Sequence, residues 1–391
     1  MNNPDRFSVL LVVEPGIDGV FRYVESLARF LIRQPQVELH FAYSSKRGSA
    51  PLDQLVGELQ EQGAKVLDLR VSNSPGPADI SALLRLWRFT KMVKPDVIHA
   101  HSSKAGVLAR ALAFAGVRAR YFYTPNAYFQ MYGPESPQRW LFHAIERVLG
   151  QVGATINVSA SEAAFAREQL RLPQDRQVIV AQGVNGKRFC PARDSAEKRH
   201  LRARFDLPKD ALLLGTVARF SRQKDPLTLY RALAIAMEKL PHLHFAHLGR
   251  GELVPEVEAF TQTWPASLRD RLHRHPSHKQ PEEFYRVLDG LTLASLYEGF
   301  ALAGLEAATT NLPVILSECP GNIDLNNRGL DRLYWVKPEN PTELADAIVQ
   351  WANDTATASC NHRQVALREF SDQALFNKML DLYQSAPRQN T

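Results

Sequence analysis

The chain has 391 residues, 45% hydrophobic and 23% charged, with a formal net charge of +6, a balance that suits a globular protein of two or three domains. No apolar run approaches the ~20 residues of a membrane span, and three widely spaced cysteines, Cys190, Cys319 and Cys360, fit neither a disulfide framework nor a zinc-ligand spacing and suit a reduced cytoplasm. The charge is uneven: residues 1–190 hold 23 Lys and Arg against 16 Asp and Glu, a net of +7, and residues 191–391 hold 24 against 25, a net of −1, so the first part expects an anionic partner.

The first apolar run, Val9 to Val13, stops at Glu14 without a signal-peptide cleavage site, so it reads as part of a strand, Ser8–Val13. Behind it Val20, Val24, Leu27 and Leu31 recur at i, i+4, i+7 and i+11, one face of a helix. Further strands are expected at Val37–Tyr43, Lys65–Leu69, Val97–Ala100, Arg120–Thr124, Thr155–Val158 and Val178–Ala181. Residues 186–211 are charged, carry two prolines and hold no buried strand, so they read as a linker with a short surface helix. A second series follows at Leu212–Val217, His244–Leu248, Leu291–Ala294, Val314–Leu316 and Tyr334–Val336, and residues 361–385 form a last amphipathic helix. Strand–helix alternation means parallel sheets covered by helices. The expected fold class is therefore α/β, with two Rossmann-like doubly wound domains at 1–188 and 210–360, a linker at 189–209 and a C-terminal helix within 361–391. Ligands of such sheets bind beyond the carboxyl ends of the strands. Two such domains facing an interdomain cleft would hold a donor and an acceptor together.

The strongest chemical signal is SLYEGFALAGLEAA, Ser295–Ala308. Glu298 and Gly299 form a turn after a strand, and Phe300 and Ala301 open a helix whose free N–H groups suit a diphosphate. Gly299 lets a ligand approach the backbone. Glu306 lies among Leu305, Ala307 and Ala308, where a carboxylate is costly to bury without donors; ribose hydroxyls would supply them. In GTVARFSRQKDP, Arg219 and Lys224 flank a turn at a strand's carboxyl end, placed to neutralise charge on a leaving diphosphate. The HLGRG turn offers Gly249 and Gly251 beside a nucleobase or ribose. Most Arg/Lys pairs and glycine turns are ordinary surface features, so it is the strand-end position that singles these out.

These residues resemble the family-four retaining glycosyltransferases of GT-B fold, of the bacterial polysaccharide-biosynthesis type. The Glu-x7-Glu motif is Glu298 with Glu306, and the R-x4-K pair is Arg219 with Lys224. The Gly16–Gly19 turn, DVIHAHSSKAGVLARALA, VSASE and QGVNGKRF are also similar. The resemblance implies that Arg219 and Lys224 bind the donor diphosphate, Glu306 the ribose and Glu298 the transferred sugar. It places Gly19 against the phosphates and the last helix back on the first domain. It also implies a hexosyl transfer that retains configuration, from a nucleotide-diphosphate sugar (UDP before GDP) to a polysaccharide precursor. No DxD motif occurs, so the expected donor site needs neither metal nor cofactor. Two departures stand out: Asn126, in YTPNAY, occupies a position often held by histidine, and CPGNID lacks the usual glycine pair.

On the acceptor side, Asn126 and His101 are candidate sugar contacts. Residues 127–147 mix Tyr128, Phe129, Met131, Tyr132, Trp140 and Phe142 with Arg139 and Arg147, which suits a membrane interface as well as a loop and core-facing helix. A lipid-linked acceptor and an anionic inner-membrane surface are the expected partners, nucleic acid is not, and the expected location is cytoplasmic and peripheral. A nucleotide-sugar or lipid-diphosphate binding protein and a nucleotide-sugar epimerase are the alternatives. A nicotinamide dehydrogenase lacks its G-x-G-x-x-G with a following acid.

Overall fold

The apolar run at the N-terminus becomes β1 (Phe7–Val13), paired along both edges and buried at every residue, as the centre of a parallel sheet must be. A computed structural model describes residues 6–385 except 17, 73, 129–130, 132–136, 277–279, 327–328 and 356–359. They form two compact units, residues 1–183 with 372–391, and residues 184–371.

In the first unit β1 is followed by α1 (Asp18–Leu31), β2 (Val37–Tyr43), α2 (Ala50–Glu61), β3 (Lys65–Asp68), α3 (Ala78–Val93) and β4 (Val97–His101). Then come α4 (Ser103–Phe114), β5 (Arg120–Thr124), α5 (Pro137–Leu149), β6 (Ala154–Asn157), α6 (Ala160–Glu168) and β7 (Gln177–Ile179). The sheet is parallel throughout, in the order β3-β2-β1-β4-β5-β6-β7. One face is covered by α1 and α2, the other by α3, α4 and α6.

The second unit holds α7 (Ser195–Arg204), β8 (Leu212–Val217), α8 (Pro226–Lys239), β9 (Leu243–Leu248), α9 (Val254–Gln262), α10 (Ala266–Arg269), β10 (Leu272–His275) and α11 (Pro281–Val287). It continues with β11 (Gly290–Leu293), α12 (Leu302–Thr309), β12 (Val314–Ser317), β13 (Leu333–Val336), α13 (Pro341–Thr355) and α14 (His362–Phe370). Its parallel sheet runs β10-β9-β8-β11-β12-β13. The chain then returns as α15 (Asp372–Ser385), which lays Phe376, Met379, Leu380 and Tyr383 into the first unit's core.

Three features differ from the sequence reading. β10 reads Leu-His-Arg-His and has no apolar run to mark it. Residues 189–209, read as a linker, belong to the second unit. There α7 is fastened by the buried Arg202, which donates to the carbonyls of Val287, Lys209 and Ala211 and to Asp289. The single helix expected over 361–385 is two, broken at Ser371, with α14 in one unit and α15 in the other.

Candidate functional site

In the second unit the segment after β8 runs through a single 3-10 turn, Arg222–Lys224, into α8. Asp225 makes the corner with a left-handed φ of 43° and caps α8 by accepting the Thr228 N–H at 3.2 Å. That corner aims Lys224 at Glu298. Burying a carboxylate requires donors around it, and Glu298, 6% exposed, has three. They are the Lys224 ammonium, the Ser295 hydroxyl at 2.6 Å and the Gln223 amide at 3.4 Å. Gly321 is needed here: its φ is +84°, and a Cβ would lie 2.4 Å from the Glu298 carbonyl oxygen. It seats the CPGNID loop against the Glu298 turn, and the Glu298 N–H donates to the Pro320 carbonyl at 2.9 Å.

Arg219 belongs to the same neighbourhood. Burial pushes the Tyr297 phenol up and Glu298 adds to it, while Arg219 and Arg222 oppose the shift. The buried Cys319 thiol is pushed up to about 11, chiefly by desolvation, with Glu298 and Lys224 both in electrostatic reach. The structure thus brings Lys224 and Glu298 together at the carboxyl ends of β8 and β11, with Arg219 in electrostatic reach of the neighbouring Tyr297. Gly299, Phe300 and Ala301 follow directly and are buried. The helix read from Phe300 onward begins at Leu302, and Ala301 gives its first amides no side-chain cap. Phe300 packs on Phe370 instead. Glu306, 4% exposed, accepts the Tyr285 hydroxyl at 2.5 Å. Tyr285, which the sequence reading missed, thus supplies a donor assigned above to ribose alone.

Gly249 and Gly251 are required by packing, since a Cβ on either would fall 1.9 Å from the Ala218 carbonyl oxygen or 2.3 Å from that of Phe220. Their smallness lets the turn after β9 lie on the Arg219 segment. His247 fixes the same contact. It stacks on Phe220 at 3.8 Å, its Nε2 donates to the Ala218 carbonyl at 3.0 Å, and its Nδ1 accepts the Tyr230 hydroxyl at 3.2 Å. Burial lowers its pKa to about 3, so it stays neutral. The signal for it was present, a histidine at the end of a buried strand.

The sequence reading excluded a Cys/His metal spacing, yet Asp331, Cys360 and His362 bring ligand atoms within 4.8 Å of one another. Both His362 nitrogens are in use: Nδ1 donates to the Leu312 carbonyl at 2.8 Å and Nε2 accepts the Arg332 N–H at 3.1 Å. The ring therefore ties α14 to the β12–β13 side of the sheet.

In the first unit His101 is wholly buried at the end of β4, between His99 and Tyr23. Neither ring nitrogen finds a hydrogen-bond partner among the described residues. Desolvation lowers its pKa to about 3. This corrects its reading as a sugar contact: it is a core residue in the structure. Asn126 is half-buried and tightly held. Its amide donates to the Thr124 carbonyl at 3.2 Å and its oxygen accepts the Gln182 amide at 2.7 Å. Asn126 and Ala127 both have left-handed φ, 54° and 75°, and Ser102, after β4, has φ 85°. Such strain costs on the order of 1–3 kcal/mol per residue and persists only where the surroundings impose it. Here Glu162 imposes it: one oxygen accepts the Ala127 N–H at 2.6 Å, the other the Val158 N–H at 2.7 Å. Gly19 lies in the first turn of α1.

The aromatic stretch divides between inside and outside. Tyr128 and Met131 are inside and Phe142 is half-buried, whereas Trp140 is 74% exposed. Phe129 and Tyr132 lie outside the described residues. No helix among the described residues is long and apolar enough to cross a membrane.

Comparison with known proteins adds relatives. Residues 18–183 match the Glycosyl transferase 4-like domain, and residues 211–354 match Glycosyl transferases group 1. The chain is similar to the UDP-Gal:alpha-D-GlcNAc-diphosphoundecaprenol alpha-1,3-galactosyltransferase of Escherichia coli, 26% identical over 78% of this chain and 79% of the relative. It is similar to the D-inositol 3-phosphate glycosyltransferase of Corynebacterium urealyticum, 25% identical over 75% of this chain and 72% of the relative. Among solved structures, Anabaena Alr3699/HepE in complex with UDP and glucose superposes with a TM-score of 0.79 at 17% identity, covering 97% of this chain and 100% of that one. The sucrose-phosphate synthase of Thermosynechococcus elongatus gives 0.78 at 19% identity, covering 97% and 98%.

Proposed function

The chain belongs to the family-four glycosyltransferases of GT-B fold, and from that membership we propose that it moves a hexose from a UDP-sugar, with retention of configuration and without a metal, to a lipid-linked polysaccharide precursor. The observation that carries this reading is the Lys224–Glu298 pair where β8 and β11 end, with Arg219 on the segment that leaves β8. In the proposed reaction the bond from the anomeric carbon to the β-phosphate breaks while Arg219 and Lys224 neutralise the charge left on the diphosphate. The acceptor hydroxyl oxygen bonds the anomeric carbon from the same face, and its proton passes to a phosphate oxygen. Glu298, held by Ser295 and Lys224, touches the transferred sugar. Glu306, oriented by Tyr285, holds the ribose, and the amides from Gly299 to Ala301 receive phosphate oxygens. The family resemblance also assigns Gly19 to phosphate and Asn126, an uncharged group, to a sugar hydroxyl.

Support for UDP comes from the donor named for the Escherichia coli relative and from the UDP of the HepE complex. Support for a lipid-linked acceptor comes from the diphosphoundecaprenol in the same relative's name. Calorimetry with UDP, GDP, UDP-glucose and UDP-galactose tests the donor. Heat with UDP that is lost in Lys224→Ala is the expected outcome, and no heat with any nucleotide or nucleotide sugar overturns the reading. Proton NMR of the product bond then tests retention.

A further inference from the structure

Seven of the nine exposed large apolar side chains among the described residues fall on three consecutive helices of the first unit. Ile80, Leu84 and Met92 are on α3, Phe114 on α4, and Trp140, Leu141 and Val148 on α5. These helices form one layer, α3 against α4 and α4 against α5. Lys104 at the start of α4 bonds Asp79 at the start of α3, while Arg110 and Glu146 pair in the later turns of α4 and α5. The three therefore run in one direction with their ends level. One end presents Ile80, Leu84, Trp140 and Leu141, and the other Met92, Phe114 and Val148.

The charge of the chain gathers on the same layer. Residues 78–149 hold ten Lys and Arg against four Asp and Glu, a net of +6, equal to that of the whole chain. The acids are directed inward: Asp79 pairs with Lys104, Asp96 accepts the Ser8 N–H at 2.9 Å, and Glu146 is buried on Arg110. Glu135 lies outside the described residues. Arg88, Lys91, Lys94, Arg118 and Arg147 are exposed among the apolar groups. The centre of a protein–protein interface is depleted in charge. Apolar tips interleaved with long cations, whose stems lie on apolar surface while their heads reach out, are instead the pattern of a lipid interface, and an exposed Trp suits headgroup depth.

We propose that the outer layer of α3, α4 and α5 docks this chain on an anionic lipid bilayer, its apolar side chains among the headgroups and its cations on lipid phosphates. The use of such docking rests on the lipid-linked acceptor proposed above; its structural basis does not. Flotation of the full chain with phosphatidylcholine vesicles, plain or mixed with phosphatidylglycerol, tests it. The chain should float with the mixed vesicles at low salt, and at least about ten-fold less with plain ones or at high salt, where exposed charges are screened. The double variants Trp140→Glu with Ile80→Glu, and Lys91→Glu with Arg118→Glu, should each lower flotation at least about ten-fold. Ile179→Glu, an exposed apolar position on β7, should float like the parent. UDP heat, read on the same variants, shows that they fold. A chain that floats yet gives no UDP heat sinks the transferase reading and leaves the docking supported. No flotation at low salt, equal flotation with plain vesicles, or unchanged flotation in both double variants overturns the proposal. So does a parent dimer that Trp140→Glu dissociates, since the face then belongs to a second copy of the chain.

Discussion

The two sheets end differently. At the carboxyl ends of β4 and β5 the first unit gathers histidines and a strained backbone, with the Glu162 carboxylate spent on two N–H groups: His99 and His101 are buried, and Ser102, Asn126 and Ala127 all have positive φ. Where β8 and β11 end, the second unit gathers charge: Lys224 bonds the buried Glu298, and Arg219 acts on Tyr297 beside it. The contrast teaches a division of labour. A leaving diphosphate needs fixed cations, whereas a group that only orients hydroxyls needs a fixed hydrogen-bond donor or acceptor without charge. The first unit fixes Asn126 through backbone strain, the second fixes Lys224 through an ion pair.

Removing the cation breaks the contrast most sharply. Lys224→Ala deletes a phosphate partner and leaves Glu298 without its ammonium. Turnover should fall about 10²–10³-fold, the ~2.7–4 kcal/mol typical of removing one transition-state donor. Steady-state release of UDP from a UDP-sugar measures it, and a loss below about ten-fold would show that the second unit does not depend on this cation.

Second in size is Glu162→Ala, which acts on the first unit alone. It orphans the N–H groups of Ala127 and Val158, each costing about 1–3 kcal/mol if it stays buried. It also releases the strained pair 126–127. An unfolding free energy lowered by about 2–6 kcal/mol, with UDP heat unchanged, is the expected pattern. An equal loss of UDP binding would mean that the two strand-ends are not independent.

How much of this was legible in the sequence follows from the range of each interaction. The strands were readable because buried parallel strands are apolar runs, and β10 was not because Leu-His-Arg-His has no such run. Glu298, Glu306, Arg219 and Lys224 were legible from local spacing after strands. Tyr285, Ser295 and Gln223 were not assigned, because their value lies in contacts that only folding makes, and His247 showed only as a histidine near a strand's end. Glu162 was half legible. Ser159-x-x-Glu162 is a capping-box spacing, and Ser159 does cap the Glu162 N–H at 3.0 Å, but its grip on Ala127 spans 35 residues. His101 misled because a polar residue at a strand end reads as site-facing, while packing turned it into the core.

A smaller effect sharpens the first unit's part. Asn126→Ala removes the amide that Gln182 holds and should lower kcat/KM about ten-fold, or ~1.4 kcal/mol, with UDP heat unchanged. Gln182→Leu should do the same less strongly, by unfixing an intact Asn126. If Asn126→Ala instead weakens UDP binding, the first unit's strand-end handles the donor diphosphate and the division drawn above fails.

The smallest expected effect touches what the two strand-ends share, buried neutral histidines. Burial lowers the pKa of His101 and His247 to about 3, and holds His99 low as well. In the unfolded chain these rings titrate near ~6.5. Between those values the unfolded state binds more protons, so stability is fully present above pH ~6.5 and is lost as pH falls toward about 3. His101→Phe removes one such proton and, with it, up to ~1.4 kcal/mol of that loss per pH unit. Denaturant midpoints at pH 7 and pH 5 should therefore lie closer together in the variant than in the parent. Because neither His101 nitrogen has a hydrogen-bond partner among the described residues, the variant should also be no less stable at pH 7. An unchanged gap between the two pH values would mean that His101 takes up its proton in the folded chain, and so that the first unit's strand-end is open to water.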